Sequence, residues 1–224
     1  MYRKLFAAAA MLAVSASIAS AQNVSLSSNG SPIDGFGASA NGGIPAVGQT
    51  FTAGDNYLTN FSFFLQNDTD TDPGSVGSDL QFRAYVYGFD GSSATGSALY
   101  TSPILSGSDA TTFQQYLFDT GFTPVVPGNM YVAFLSTSGI TQNGLGFNAF
   151  AGSDDSYSGG NLVFDFGDNN FSDPNSIGVL QQSGAFSATF AASNVTTTPE
   201  PSELALMATG LIGLVPMVRR KLRV

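Results

Sequence analysis

The chain has 224 residues, no cysteine and no histidine, and a formal net charge of −9. Six of its seven basic residues lie at positions 3–4 and 219–223, so residues 22–198 keep Arg83 alone against fourteen aspartates, a formal charge of −13. That balance excludes nucleic-acid binding, which needs Lys and Arg to displace phosphate counterions, and the missing histidine removes the usual general base and zinc ligand.

At the N-terminus, Arg3 and Lys4 precede an apolar stretch from Leu5 to Val14, and Ala19-Ser20-Ala21 supplies a small-residue cleavage pattern. These three parts in this order predict a secretory signal peptide over residues 1–21, with Gln22 as the mature start.

Residues 22–192 alternate short β-rich runs with Gly, Asn, Asp and Ser punctuation, and none of this stretch carries a sustained 3.6-residue apolar stripe. Strands are predicted at 49–53, 58–65, 80–87, 98–105, 113–119, 130–137, 145–150, 162–166 and 186–192. The clearest is 80–87, where Leu80, Phe82, Ala84 and Val86 share one face and Gln81, Arg83, Tyr85 and Tyr87 the other. Asp90-Gly91 and Pro127-Gly128-Asn129 mark turns. Nine or ten strands at this spacing predict an all-β domain, an antiparallel β-sandwich or jelly roll.

Four constellations in this body carry candidate chemistry. Asp68, Asp70 and Asp72 alternate along a Pro/Gly loop that ends at Asp79, eleven residues after Asp68. A hard cation takes six to eight oxygens in irregular geometry, so the loop is a candidate structural calcium site; the competing reading is a solvated hairpin loop, since Pro73 stands where an EF-type loop needs glycine. Asp154-Asp155 and the run from Asp165 to Asn170 are lesser carboxylate clusters, at a loop tip and a strand end. Tyr85, Tyr87, Phe89 and Tyr100 are candidates for an aromatic platform under sugar rings, against the alternative that both faces of that strand are buried. Arg83 is expected to pair with an aspartate across the strands. The body holds no Glu and no His, so a hydrolase built on two aspartates is the weakest reading and a non-enzymatic protein is expected.

Segments 48–67 (GQTFTAGDNYLTNFSFFLQN), 80–102 (LQFRAYVYGFDGSSATGSALYTS) and 127–139 (PGNMYVAFLSTSG) together resemble jelly-roll modules of exported bacterial proteins. By analogy with such modules, the resemblance implies carbohydrate binding.

Beyond a polar linker at 193–198, Pro199-Glu200-Pro201 precedes an apolar run from Leu204 to Val218 and then Arg219, Arg220, Lys221 and Arg223. As a helix the apolar run spans about 22 Å, short of a bilayer core of about 30 Å. The basic cluster would stay cytoplasmic and hold the body on the exported side. This order of parts over 199–224 resembles the PEP-CTERM sorting signal of exopolysaccharide-producing Gram-negative bacteria. The resemblance implies a membrane-embedded exosortase as processing partner, with Pro199, Glu200 and Pro201 as its recognition site. It implies a transient membrane stay and delivery to the envelope surface. The sequence therefore leads to an exported surface or matrix protein, structural or adhesive within exopolysaccharide, with a dedicated lectin-like module as the alternative.

Overall fold

The structure is a computed structural model that describes residues 23–192 except 71, 72, 156, 168 and 169. The expected signal peptide, the linker, the Pro-Glu-Pro motif, the apolar run and the basic cluster therefore lie outside the described residues, as does Asp72. Among the described residues no helix is long and apolar enough to cross a membrane.

Fourteen strands form among the described residues: β1 (Val24–Leu26), β2 (Pro32–Gly37), β3 (Ala46–Thr52), β4 (Tyr57–Asn67), β5 (Gln81–Phe89), β6 (Ala94–Thr101) and β7 (Leu105–Ser106), then β8 (Gln114–Pro124), β9 (Met130–Ser136), β10 (Phe147–Ser153), β11 (Leu162–Asp165), β12 (Ile177–Leu180), β13 (Ser183–Gly184) and β14 (Phe186–Ala191). Two short 3-10 turns, Ser39–Asn41 and Gly77–Asp79, are the only helical elements described. One sheet runs β1-β14-β4-β10-β13, with β2 on β10 and β8 on β4; the other runs β12-β11-β3-β9-β5-β6, with β7 on β5. The strand pairings are antiparallel. The all-β, antiparallel, two-sheet expectation holds.

All nine predicted runs carry strand. The count of nine or ten was too low, because β1, β2, β12 and β13 lack the expected signature. The β2 sequence Pro-Ile-Asp-Gly-Phe-Gly looks like a turn, yet it pairs with β10 across a register shift between Asn148 and Phe150. Pairing with a strand over a hundred residues away overrides its local preference.

The sheets are held face to face by phenylalanine. Phe51 on β3 meets Phe186 on β14 at 5.6 Å between ring centroids, and Phe186 meets Phe63 on β4 at 5.2 Å. Phe63 then contacts Phe150 at 5.1 Å, Phe150 contacts Phe36 at 6.0 Å, and Phe36 returns to the other sheet at Phe82 on β5, 5.6 Å away. All six rings are essentially sealed from water. Edge and tilted contacts of this kind suit the aromatic quadrupole and add to the area each ring buries. Within the same layer, the fully buried Gln49 accepts the Gly184 N–H on its side-chain oxygen (3.0 Å) and donates to the Thr50 carbonyl (3.1 Å). A buried amide is tolerated there because both of its ends are bonded.

Strand β4 shows how local sequence adjusts to this core. Leu58, Phe61, Phe63 and Leu65 are all buried, but the step from 58 to 61 is odd and would turn Leu58 outward in a regular strand. The pairing of β4 shifts register between Leu58 and Asn60 against both β8 and β14, so an irregularity at Thr59 absorbs the extra residue. At the β8–β9 turn, Pro127 and Gly128 follow the expectation: Gly128 adopts φ 82°, as the third position of a type II turn requires.

Phe63→Ala removes the ring that joins Phe186, Phe150 and Phe61, and is expected to cost about 3–5 kcal/mol in urea unfolding. The exposed Leu117→Ala on β8 is expected to change stability by less than about 0.5 kcal/mol.

Candidate functional site

The four aromatic candidates do not form one platform. Tyr85, Tyr87 and Phe89 lie on the face of β5 turned away from the other sheet, whereas Tyr100 on β6 faces the inter-sheet core and meets Phe61 edge-on at 5.7 Å. On the outer face, Tyr85 and Tyr87 stack against Phe134 of β9 at 5.3 and 5.7 Å. Gly48 on the neighbouring β3 makes room, since a Cβ there would lie 2.5 Å from that of Phe134. Phe171 closes over the group, 4.7 Å from Phe134 and fully buried. Tyr85 and Tyr87 remain only half-buried, and desolvation raises the Tyr85 pKa. These rings serve a second, smaller core.

That cover depends on Asp165, a fully buried carboxylate at the end of β11. Its Oδ1 accepts the Gly167 N–H (2.8 Å) and the Ser176 hydroxyl (2.6 Å), and its Oδ2 accepts the Phe171 N–H (2.6 Å). Phe171 has φ 62°, a left-handed conformation that a bulky residue adopts only when its surroundings over-determine it. Here the surroundings are the Asp165 acceptor and the aromatic pocket, with the Phe171 carbonyl also accepting the Ala94 N–H. The lesser carboxylate cluster at the strand end is thus a loop fastener at Asp165; Asp168 lies outside the described residues.

In the acidic loop, Asp68 is buried and turned inward. Its Oδ2 accepts the Gly35 N–H (2.9 Å) and its Oδ1 the Asp70 N–H (3.1 Å), tying the end of β4 to β2. Asp79 closes the short 3-10 turn Gly77–Asp79. Among the described residues, no group of three or more carboxylates comes together in a metal-binding arrangement. Arg83, expected to pair with an aspartate, instead donates from Nη1 to the Ser102 carbonyl at 2.9 Å.

A concavity beside the Asp154-Asp155 pair is lined mostly by residues the sequence reading passed over. A cleft of about 500 Å³ opens between the β10–β11 connection and the β12–β13 connection, where the chain crosses twice between the sheets. Asp154, Asp155, Tyr157, Asn161, Gln181 and Gln182 line it. A smaller depression of about 240 Å³ adjoins it, lined in part by Asn23 and Thr52, and shares Tyr157 and Ser158 as a wall.

Side chains from two directions clamp the β10–β11 connection. On the β3 side, the Tyr157 hydroxyl oxygen accepts the Thr52 N–H (3.0 Å), Thr52 Oγ1 donates to the Gly159 carbonyl (3.1 Å), and Thr50 Oγ1 accepts the Asn161 N–H (2.7 Å). On the β1 side, Asp155 Oδ2 accepts both the hydroxyl (2.7 Å) and the backbone N–H (2.6 Å) of Ser27, and Asp154 Oδ1 accepts from Asn29 Nδ2 (2.8 Å). The Ser27 hydroxyl and amide together hold the Asp155 carboxyl below its ordinary range, so it stays ionised. Burial pushes the Tyr157 hydroxyl up, so the phenol keeps its proton. The side-chain amides of Asn161, Gln181 and Gln182 are exposed and carry no intramolecular partner among the described residues. The cleft thus presents unengaged amides, one fixed aromatic ring and two carboxylates on a tied-down loop, a set suited to polyhydroxylated ligands.

A second concavity, beside edge strand β6, is apolar where Leu99, Val125, Val126 and Tyr131 line it and measures about 440 Å³. Comparison with protein-family models, curated proteins and solved structures returns no match for this chain.

Two outcomes test these assignments. Asp165→Asn deprives at least one of the Gly167 and Phe171 N–H groups of its acceptor, and is expected to cost about 2–4 kcal/mol and to speed amide exchange at Phe171. Because the Asp155 pKa is depressed in the fold, its stabilisation is present above the unfolded carboxylate value near about 3.9 and is lost as pH falls through the lower folded value. The melting temperature of Asp155→Asn is therefore expected to fall less steeply than wild type from pH 5 to pH 2, in thermal scans followed by circular dichroism.

Proposed function

We propose that this is an exported cell-surface or matrix protein that associates with exopolysaccharide, its β-sandwich body a jelly-roll-like module delivered by exosortase processing at Pro199-Glu200-Pro201. The observation that carries the polysaccharide reading is the cleft between the β10–β11 and β12–β13 connections, with unengaged amides at Asn161, Gln181 and Gln182 around a fixed Tyr157. Sugar hydroxyls pair with amides and carboxylates, and a sugar ring offers C–H faces to a tyrosine. The jelly-roll reading is supported by the way the chain alternates between sheets from β3 to β5 and again from β8 to β11. The reading of the ends as export and sorting signals rests on the residues at 1–21 and 199–224.

Binding is favoured over hydrolysis by the state of the Asp155 carboxylate in the cleft. A general acid must keep its proton near working pH, which requires a raised pKa, whereas Asp155 is held low by Ser27. Its oxygen is already occupied in fastening the loop to β1.

Co-sedimentation of the purified protein with exopolysaccharide from the producing bacterium tests this reading. Association that saturates with polymer and releases no reducing ends is the expected outcome. A protein that stays in the supernatant at every polymer concentration contradicts it.

A further inference from the structure

We infer that the cleft selects neutral glycans and rejects acidic ones, and that its ligand spans at least two sugar residues, one on each side of Tyr157. This deepens the proposed association with exopolysaccharide and rests on it.

The selectivity follows from charge. Asp154 and Asp155 both line the cleft, and Asp155 is held ionised. The body carries fourteen aspartates and a single arginine. That arginine is committed to the Ser102 carbonyl and does not line the cleft. A uronate, sulfate or pyruvate group on a polymer would enter a field of its own sign with no cation to meet it. Recognition of acidic sugars generally uses Arg or Lys for bidentate or point-charge contacts, and the cleft offers neither. Neutral hydroxyls, in contrast, can donate to the two carboxylates and exchange bonds with the three amides.

The length of ligand follows from the shared wall. Tyr157 and Ser158 border both the larger cleft and the depression beside Asn23 and Thr52. The Tyr157 hydroxyl is fixed to the Thr52 N–H, so the ring stands between the two volumes in one orientation. A fixed ring loses no rotamer freedom on binding, which suits it to stack on sugar from a prepaid geometry. The side opposite the larger cleft then offers Asn23 Nδ2 and Ser158 to a second residue, the Thr52 and Ala53 N–H groups being already bonded.

The test is a printed array of neutral hexose and N-acetylhexosamine mono- and tetrasaccharides beside hexuronate tetrasaccharides, probed with the full-length protein at low and high salt. Binding is expected on neutral tetrasaccharide spots, absent from monosaccharide spots, and absent from hexuronate spots at low salt. The Gln181→Ala/Gln182→Ala double variant, altered only at exposed side chains, should keep the wild-type melting temperature and lose about tenfold in affinity. Asp154→Asn should raise hexuronate signal relative to neutral signal. Preferential hexuronate binding overturns the inference, as does equal binding of mono- and tetrasaccharides or unchanged affinity in the double variant. If co-sedimentation with the producer's polymer persists while the double variant binds as wild type, the cleft is the wrong site and the broader reading stands. If co-sedimentation also fails, both fall.

Discussion

Two sheets in a chain without cysteine must be held together by what lies between them, and here that is a continuous file of phenylalanine rings. The file runs from Phe51 through Phe186, Phe63, Phe150 and Phe36 to Phe82, starting and ending on the same sheet while passing through the other. Each ring is a large apolar surface with few rotamers, so burying it gains much and costs little side-chain entropy. Other features accommodate this layer. The irregularity at Thr59 keeps both Leu58 and Phe61 inside, and Gln49 is admitted only with both ends of its amide bonded.

Polar side chains have a different task in this molecule: they fasten loops. Asp165 secures the segment that carries Phe171, Asp68 ties β4 to β2, and Asp155 ties the β10–β11 connection to Ser27. Asp90 does the same in the β5–β6 hairpin, where the N–H groups of Ser93 and Ser92 lower its pKa to about 2. Carboxylates suit the role because a charged acceptor makes stronger bonds to backbone N–H groups than a neutral one. Part of the acidity of this body is therefore structural, and part of it faces the cleft. One residue type thus shapes both the loops and the kind of ligand they admit.

The fold was legible where one residue's neighbours in sequence are also its neighbours on a face. Strand 80–87 followed its alternation faithfully, with Phe82, Ala84 and Val86 inside and Arg83, Tyr85 and Tyr87 outside. Strand β2 was not legible, because Pro32 and Asp34-Gly35 are turn residues, and only the pairing of Pro32-Ile33 and Phe36-Gly37 with the distant β10 makes the segment a strand. Nor was the left-handed Phe171, whose conformation depends on an acceptor at Asp165 and a pocket built by β5 and β9. The cleft is the extreme case. Asp154-Asp155 stood out as a carboxylate pair, but Tyr157, Asn161, Gln181 and Gln182 carry no local signature. They become a site only because two sheet-crossing connections meet. The nearest sequence signal was a lone tyrosine in a Ser/Gly/Asn-rich loop between two apolar strands.

The central claim is that this cleft is where the protein meets polysaccharide. It is tested most directly by following backbone amide resonances of the isotopically labelled protein while neutral fragments of the producer's polymer are added. The account predicts shifts concentrated at residues 153–161 and 181–183, with smaller ones at Asn23 and Thr52–Gly54 on the far side of Tyr157. Shifts concentrated instead along the apolar groove by Leu99 and Val126, or none at saturating fragment, would contradict it.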